Sequence, residues 1–230
     1  MIFIKRVFLW VLIIIIFVVG LAFVLYSPVA KWLSSKGQEV VVRDYLEEAD
    51  AVPDEEVEEK ITNIMKYNRV LAGLENNTES ISTDYGSYIK SLDIMGNGII
   101  CVVEIPKINV KLSVYGGTSD ESLQKGAGHI EGTSLPVGGL GSNCCISAHR
   151  GLANAVMFRD MDKIEIGDEF YIYVLDRTLK YEVDDIRVVL PDDISSIKNV
   201  PDKDYVTLIT CTPYIINSHR LLVRGSRVNE

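Results

Sequence analysis

The sequence has few basic residues and very few histidines. Lysine and arginine total 23 against 32 aspartates and glutamates, which gives a formal net charge of −9, and there are three histidines. A domain that binds DNA or RNA usually carries a basic stripe, so we expect no nucleic-acid partner. The acidic excess by itself indicates no more than a well-solvated surface.

The chain also lacks the cysteine patterns of stapled or metal-binding proteins. Its four cysteines are Cys101, Cys144, Cys145 and Cys211. Their spacing is neither that of a disulfide framework nor that of a zinc site, so no metal is expected. The first three lie within apolar runs and are expected to be buried, because free cysteine behaves as a small hydrophobic residue.

One long hydrophobic run is present, "VFLWVLIIIIFVVGLAFVLY" at residues 7–26. Twenty apolar residues in a helix rise about 30 Å, the thickness of a bilayer core. Lys5 and Arg6 precede the run, which predicts a cytoplasmic segment at residues 1–6 and an extracellular remainder. The alternative is a cleaved signal peptide, but its apolar core would be shorter, roughly 7 to 15 residues. We therefore expect a single-pass cell-membrane anchor.

Residues 27–97 are predicted to form an extracellular linker, a helix and a possible lid loop. The helix follows Pro53, because "DEEVEEKITNIMKYNRVLAGL" places acidic residues in the first turn, where the helix dipole favours them. Residues 75–96 are rich in Asn, Ser, Thr and Gly and indicate a long loop or a marginal segment. Loops of that length are functional lids or disordered segments, and both alternatives stay open.

Residues 98–230 have the pattern of a mostly β domain. The predicted strands are "IICVVEIP", "INVKLSVY", "SNCCISAH", "EFYIYVL", "LKYEVDDIRVVLP", "YVTLITC" and "RLLVRGSRV". Short β-branched runs separated by Gly, Pro, Asp and Asn favour an antiparallel barrel or sandwich. We expect "GLANAVMFRDMDKI", residues 151–164, to be a short helical insert.

Three residues in this domain could form a catalytic group. His149 and Cys211 each end an apolar strand, and Arg220 follows the turn "TPYIINSH", which should fold its strand back beside Cys211. A thiol at a barrel mouth can act as a nucleophile, with a histidine as proton donor. Arginine stays protonated and can stabilise an oxyanion. Each residue alone has a structural explanation, and we expect His129 to be structural and His219 to face away.

The same residues, with their surroundings, resemble the class C or pilin-polymerising sortases, which are cysteine transpeptidases of Gram-positive bacterial surfaces. The resemblance covers roughly residues 98 to 228. Its motifs are "IPKINVKLSVYGGTS", "GAGHIEGTSLPVGG", "SAHRGLANAVMF", "GDEFYIY" and "TLITCTPYIINSHRLLVRGSR", in that order. It implies an eight-stranded β-barrel with short helices, preceded by a transmembrane helix and a helical extracellular segment.

The resemblance also implies site residues and a reaction. Cys211, His149 and Arg220 would be catalytic, Thr210 would help to position substrate, and no metal or organic cofactor would be needed. The substrates would be pilins or other surface proteins with a C-terminal LPXTG-like signal, joined through a thioacyl-enzyme to a pilin lysine amine. Three alternatives stay open: a sortase that attaches proteins to peptidoglycan, a hydrolytic cysteine peptidase, and a non-catalytic membrane-tethered binding barrel.

Two departures from the family pattern concern the region around the site. Many class C members have a lid with Asp-Pro-Trp or Asp-Pro-Phe, whereas this chain has "STDYGSY". Asp84 and Tyr85 could replace the lid acid and aromatic residue, although the proline is missing. Many members also have "YHGTS", and here Gly116 occupies the histidine position.

Overall fold

The computed structural model describes residues 2–75, 84–152 and 155–228, with side chains from Arg6 onward. The described residues form four α-helices and eight strands. Three helices precede the first strand, and the fourth lies between the second and third strands. The helices are α1 (Ile2–Asp50), α2 (Asp54–Leu71), α3 (Tyr85–Leu92) and α4 (Asp120–Lys125). The strands are β1 (Ile99–Ile105), β2 (Val110–Gly116), β3 (Ala127–His129), β4 (Ser142–Ser147), β5 (Glu169–Val174), β6 (Arg177–Val189), β7 (Asp204–Thr212) and β8 (His219–Arg227).

Helix α1 is much longer than the predicted span of residues 7–26. It continues through Pro28 to Asp50. Its apolar part has a window of mean hydropathy 3.3 with no residue buried, so by length and composition it could cross a membrane. The far end is different, because Val42, Tyr45 and Ala49 are buried against β1.

Tyr45 fixes the end of α1 to the barrel. Its side chain is fully buried, and its hydroxyl donates to the carbonyl of Ile100 and accepts from the backbone N–H of Leu175, both at 3.2 Å. A buried hydroxyl with both partners present keeps the hydrogen bonds that it would otherwise make to water. The last turns of α1 are therefore part of the barrel's own packing.

Helix α2 begins where the sequence predicts, after Pro53, whereas α3 corrects the prediction of a loop over residues 75–96. Asp84 caps α3 by accepting from the N–H of Gly86 at 3.1 Å. Leu92 is fully buried, and the ring of Tyr88 lies 4.6 Å from that of Tyr67 on α2. These tertiary contacts stabilise a helix that is too short to form alone. Residues 76–83 of the predicted loop lie outside the described residues.

The strands form a closed barrel in the order β1-β2-β3-β4-β7-β8-β6-β5. This confirms the predicted eight-stranded barrel. The prediction that it is antiparallel is wrong in two places, because β2 pairs with β3 and β4 pairs with β7 in parallel. Parallel pairing requires a crossover connection rather than a tight hairpin, and short runs of sequence do not reveal it.

Burial along β1 shows how α1 and the barrel share one core. Cys101 and Val103 pack into the barrel interior, whereas Ile99 and Val102 face outward against α1. Side chains alternate between the two faces of a strand, and the register shift between Ile99 and Cys101 lets Ile99 share the outward face with Val102. A strand covered on both faces therefore contains apolar residues in sequence. This explains the uninterrupted run "IICVV".

The predicted helical insert over residues 151–164 is wrong. The described part contains turns and a single 3₁₀-helix, Met161–Lys163. Gly151 has φ +126° and Met157 has φ +48°, backbone conformations that a right-handed helix cannot include. Residues 153–154 lie outside the described part of the chain.

Candidate active site

Cys211 and Arg220 lie directly opposite each other on neighbouring strands. In the antiparallel pairing of β7 with β8, Cys211 is the register partner of Arg220, and Thr212 is the partner of His219. Directly opposed residues lie about 5 Å apart and share one face of the sheet. The turn after Cys211 therefore brings an arginine beside the thiol, as the sequence predicts, while His219 belongs to the other face.

His149 approaches from the other side of β7. Strands β4 and β7 run in parallel with Ser147 beside Ile209, and the backbone N–H of Ala148 continues this pairing by donating to the carbonyl of Ile209 at 3.1 Å. Two residues beyond Ser147, His149 reaches the level of Cys211. Both side chains are partly exposed. Cys211 is thus flanked by the His149 segment on one side and by Arg220 on the other.

Two further hydrogen bonds hold the His149 segment in place. The hydroxyl of Thr210 donates to the carbonyl of Ala148 at 2.8 Å, and the carbonyl of His149 accepts from the N–H of Phe158 at 3.0 Å. Thr210 is only 1% exposed. In the structure, Thr210 joins β7 to the segment before His149. A direct contact between Thr210 and substrate stays a prediction.

The guanidinium of Arg220 lies near its own turn. Its Nη1 donates to the carbonyls of His219 at 3.1 Å and Asn217 at 3.3 Å. In this turn Ile215 has φ +74°, a region that is strained for a β-branched residue. The two carbonyls hold a charged, planar donor at the barrel mouth, where it can meet a negative oxygen.

Cys211 also differs from the other three cysteines in its surroundings. Cys101, Cys144 and Cys145 are fully or almost fully buried, whereas Cys211 is partly exposed, and all four are free thiols. Burial raises the pKa of Cys145 to about 12 and raises those of Cys101 and Cys144 as well. Because the thiolate is the reactive form, these surroundings disfavour a nucleophilic role for the three, which are buried as the sequence predicts.

Arg150 is a residue of the site that the sequence reasoning did not single out. It directly follows His149 and is buried, with 9% of its side chain exposed. Its Nη1 donates to Oγ1 of Thr212 at 2.7 Å and to the carbonyl of Cys211 at 3.4 Å. An arginine beside a candidate catalytic histidine is a visible signal, but its partners are 61 and 62 residues away in the chain.

The two lid candidates lie at the start of α3. Asp84 is its N-cap, and the hydroxyl of Tyr85 lies 2.8 Å from Nδ1 of His129 with the two rings stacked at 5.7 Å. His129 pairs with Ile146 on β4, three residues before His149. The described contacts therefore fix Tyr85 to β3, and the role of Asp84 and Tyr85 as a lid stays a prediction.

His129 is structural, as expected, and fully buried. Its Nε2 donates to the carbonyl of Ser134 at 2.9 Å, which leaves Nδ1 to accept from Tyr85. Burial lowers the pKa of His129 to about 4, and the hydrogen bond to Ser134 opposes this only in part. The neutral imidazole joins α3 to the turn after β3.

Gly116 gives α3 room to pack against the barrel. A Cβ at this position would lie 2.4 Å from Cγ2 of Ile89 on α3. Real Cβ atoms do not approach that closely, so a side chain here would force Ile89 to shift. The glycine that departs from the family pattern is thus matched by the packing of α3.

Comparisons with known proteins identify the family of the barrel domain. A family model described as the sortase domain matches residues 103–228. Sortase D of Bacillus subtilis is 32% identical over 130 residues, which are 55% of this chain and 63% of that protein. The chain therefore aligns with less than two thirds of the length of this relative.

Solved structures match a larger share of the chain. Sortase C of Streptococcus pneumoniae is 42% identical with a TM-score of 0.74, covering 83% of this chain and 97% of that one. Sortase C1 of pilus island 1 of GBS, group B Streptococcus, is 37% identical with a TM-score of 0.76, covering 84% and 93%. A lid mutant of Streptococcus agalactiae sortase C1 is also similar, at 38% identity and a TM-score of 0.74.

Proposed function

The chain belongs to the sortase family of cysteine transpeptidases, and from this premise we propose that it is a membrane-anchored sortase that polymerises pilins. The observation that carries the proposal is the pairing of Cys211 with Arg220, with the His149 segment on the other side of β7. A nucleophile, a fixed cation and a proton donor at one barrel mouth suit acyl transfer. A scaffold would need none of the three.

The proposed reaction has two steps. The Cys211 thiolate attacks the Thr–Gly carbonyl of an LPXTG-like signal, and Arg220 stabilises the oxyanion of the tetrahedral intermediate. The C–N bond breaks as His149 protonates the leaving glycine amine, which leaves a thioacyl-enzyme. A pilin lysine amine then attacks the thioester, loses its proton to His149, and releases Cys211 with formation of an isopeptide bond.

Similarity to the pilus-associated sortases supports the pilin acceptor. The S. pneumoniae enzyme has been described for its pilin substrate specificity, and sortase C1 belongs to a pilus island. Their match covers 83% and 84% of this chain, against 55% for B. subtilis sortase D. Because the catalytic barrel begins at Ile99, a match to more than four fifths of the chain has to include part of the helices before the barrel.

The proposed location is the outer face of the cell membrane. The apolar part of α1 is long enough to span the bilayer, and Lys5 and Arg6 favour a cytoplasmic N-terminus. Because α1 continues without a break to Asp50 and its end packs into the barrel, the catalytic domain would be held close to the membrane. Surface proteins that carry sorting signals emerge there.

A product assay tests the proposed acceptor. The full chain in detergent is incubated with an LPXTG-type peptide and either a pilin domain or a diaminopimelate-containing peptidoglycan stem peptide, and product masses are measured. We expect an isopeptide on a pilin lysine and no product with Cys211→Ala. Transfer to the stem peptide alone would instead identify a wall-anchoring sortase, and hydrolysis alone would identify a peptidase.

A further inference from the structure

The side chain of Arg150 connects three segments of the site. Besides Thr212 and the carbonyl of Cys211 at the end of β7, its Nη2 lies 2.8 Å from Oδ1 of Asp162 on the 3₁₀-helix Met161–Lys163. Its own backbone continues from His149. The segment with the proton donor, the strand end with the nucleophile and the 3₁₀-helix are therefore joined through one guanidinium.

Burying the charged guanidinium of Arg150 costs desolvation energy, so its ion pair contributes little to the stability of the fold. Arg150 is 9% exposed, whereas its partner Asp162 is 59% exposed. The buried Nε of Arg150 has no hydrogen-bond partner among the described residues. A buried cation with an unpaired N–H is a weak contribution to folding, and apolar residues often replace such groups without loss. The hydrogen bonds of Arg150 instead fix the backbone at Cys211 and the side chain of Thr212.

The position of Cys211 is set on both sides by contacts to the His149 segment. Before it, Thr210 donates to the carbonyl of Ala148. At Cys211 itself and after it, Arg150 donates to the carbonyl of Cys211 and to the hydroxyl of Thr212. The planar fork of arginine makes these bonds through Nη1 and contacts Asp162 through Nη2, whereas lysine would have to reach all three partners from a single nitrogen.

We propose that Arg150 is a positioning residue that holds Cys211 in register with His149, and that Asp162 orients its guanidinium. The inference rests on the proposed function in that it takes Cys211 as the nucleophile and His149 as the proton donor. A change at Arg150 then alters the relative position of Cys211 and His149 without removing either reacting group. Misplacement by about 1 Å costs on the order of 100-fold in rate.

The test uses the full chain in detergent with an LPXTG-type peptide. We compare the wild type with Arg150→Gln, Arg150→Lys and Asp162→Asn, and measure kcat, KM and the unfolding temperature. The matched control is Arg224→Gln, because Arg224 on β8 forms a two-bond ion pair with Asp184 at 2.8 and 3.1 Å outside the site. The rate at which iodoacetamide modifies Cys211 is measured in the same proteins.

We expect Arg150→Gln to lower kcat by 10- to 100-fold with KM within about threefold. Lysine should restore little of this loss, and Asp162→Asn should lower kcat by a smaller factor. Arg224→Gln should keep the wild-type kcat. A kcat within twofold of wild type in Arg150→Gln, a loss confined to KM, or an equal loss in the control would overturn the proposal.

A second pair of variants covers the case in which Arg150→Gln does not fold. Thr212→Val keeps the shape of the side chain but removes the hydroxyl that Arg150 contacts, and Thr212→Ser keeps that hydroxyl. Thr212→Val should lower kcat and Thr212→Ser should retain it, whereas equal activity in both variants would contradict the positioning role of Arg150.

The thiol readout separates this inference from the proposed function. If the wild type turns over the peptide and the Arg150 variants have the same kcat, the positioning role of Arg150 alone is refuted. The wild type could instead show no turnover while Cys211 reacts with iodoacetamide at a rate that depends on Arg150. That result would refute the proposed function and support the positioning role of Arg150.

Discussion

Burial of His129 predicts an acid-dependent loss of stability that one substitution should remove. The pKa of His129 falls from 6.5 to about 4 on folding, because the imidazole is buried, and the hydrogen bond to Ser134 opposes this fall only in part. The unfolded chain therefore binds a proton between these two values that the folded chain does not bind. This contribution to stability is complete above pH 6.5 and is lost as the pH falls towards 4.

Proton linkage gives the size of the effect. For these two pKa values, the loss between pH 8 and pH 5 is on the order of 2 kcal/mol. We would measure the free energy of unfolding by urea denaturation of a fragment that begins at residue 33, as wild type, His129→Gln and His219→Gln. Groups that titrate in all three proteins cancel in the comparison.

We expect the wild type and His219→Gln to lose about 2 kcal/mol more between pH 8 and pH 5 than His129→Gln loses. His129→Gln should be less stable at pH 8, because its contacts with Tyr85 and Ser134 change, but its stability should depend less on pH. Equal losses in wild type and His129→Gln would show that the buried imidazole does not cause the acid dependence.

Three further predictions concern the site and α3. Arg220→Lys should lower kcat at least 10-fold with an LPXTG-type peptide, because a point charge lacks the planar fork; normal turnover would remove Arg220 from the oxyanion role. Gly116→Ala should cost about 1 to 3 kcal/mol of stability by overpacking against Ile89, and adding Ile89→Ala should recover part of it; an unchanged unfolding temperature would refute this contact. If Tyr85 belongs to a lid, Tyr85→Ala should raise kcat modestly in steady-state kinetics, whereas unchanged turnover would favour a purely structural role.

Sequence patterns predicted much of the barrel and the placement of the candidate site residues because the relevant signals are local. Cys211 ends an apolar run, and the short turn that follows has to return the chain, which places Arg220 opposite it. His149 ends a second apolar run in the same way. Where a strand ends and the chain turns can be read from neighbouring residues.

The elements that were missed depend on contacts between distant parts of the chain. Strand β3, Ala127–His129, has three residues, one of them glycine, and exists because β2 and β4 pair with it on both sides. Helix α3 depends on Tyr67 and on the space above Gly116. Arg150 has its two partners on β7, Cys211 and Thr212, more than 60 residues away. Tertiary packing decides such features, and propensity alone does not.

The most direct test of the central claim is the intact mass of the full chain after brief incubation with an LPXTG-type peptide, followed by fragmentation to locate the adduct. The account predicts a thioacyl adduct on Cys211, none on Cys101, Cys144 or Cys145, and its loss when a lysine-bearing pilin domain is added. An adduct on another cysteine, or peptide cleavage that persists in Cys211→Ala, would contradict it.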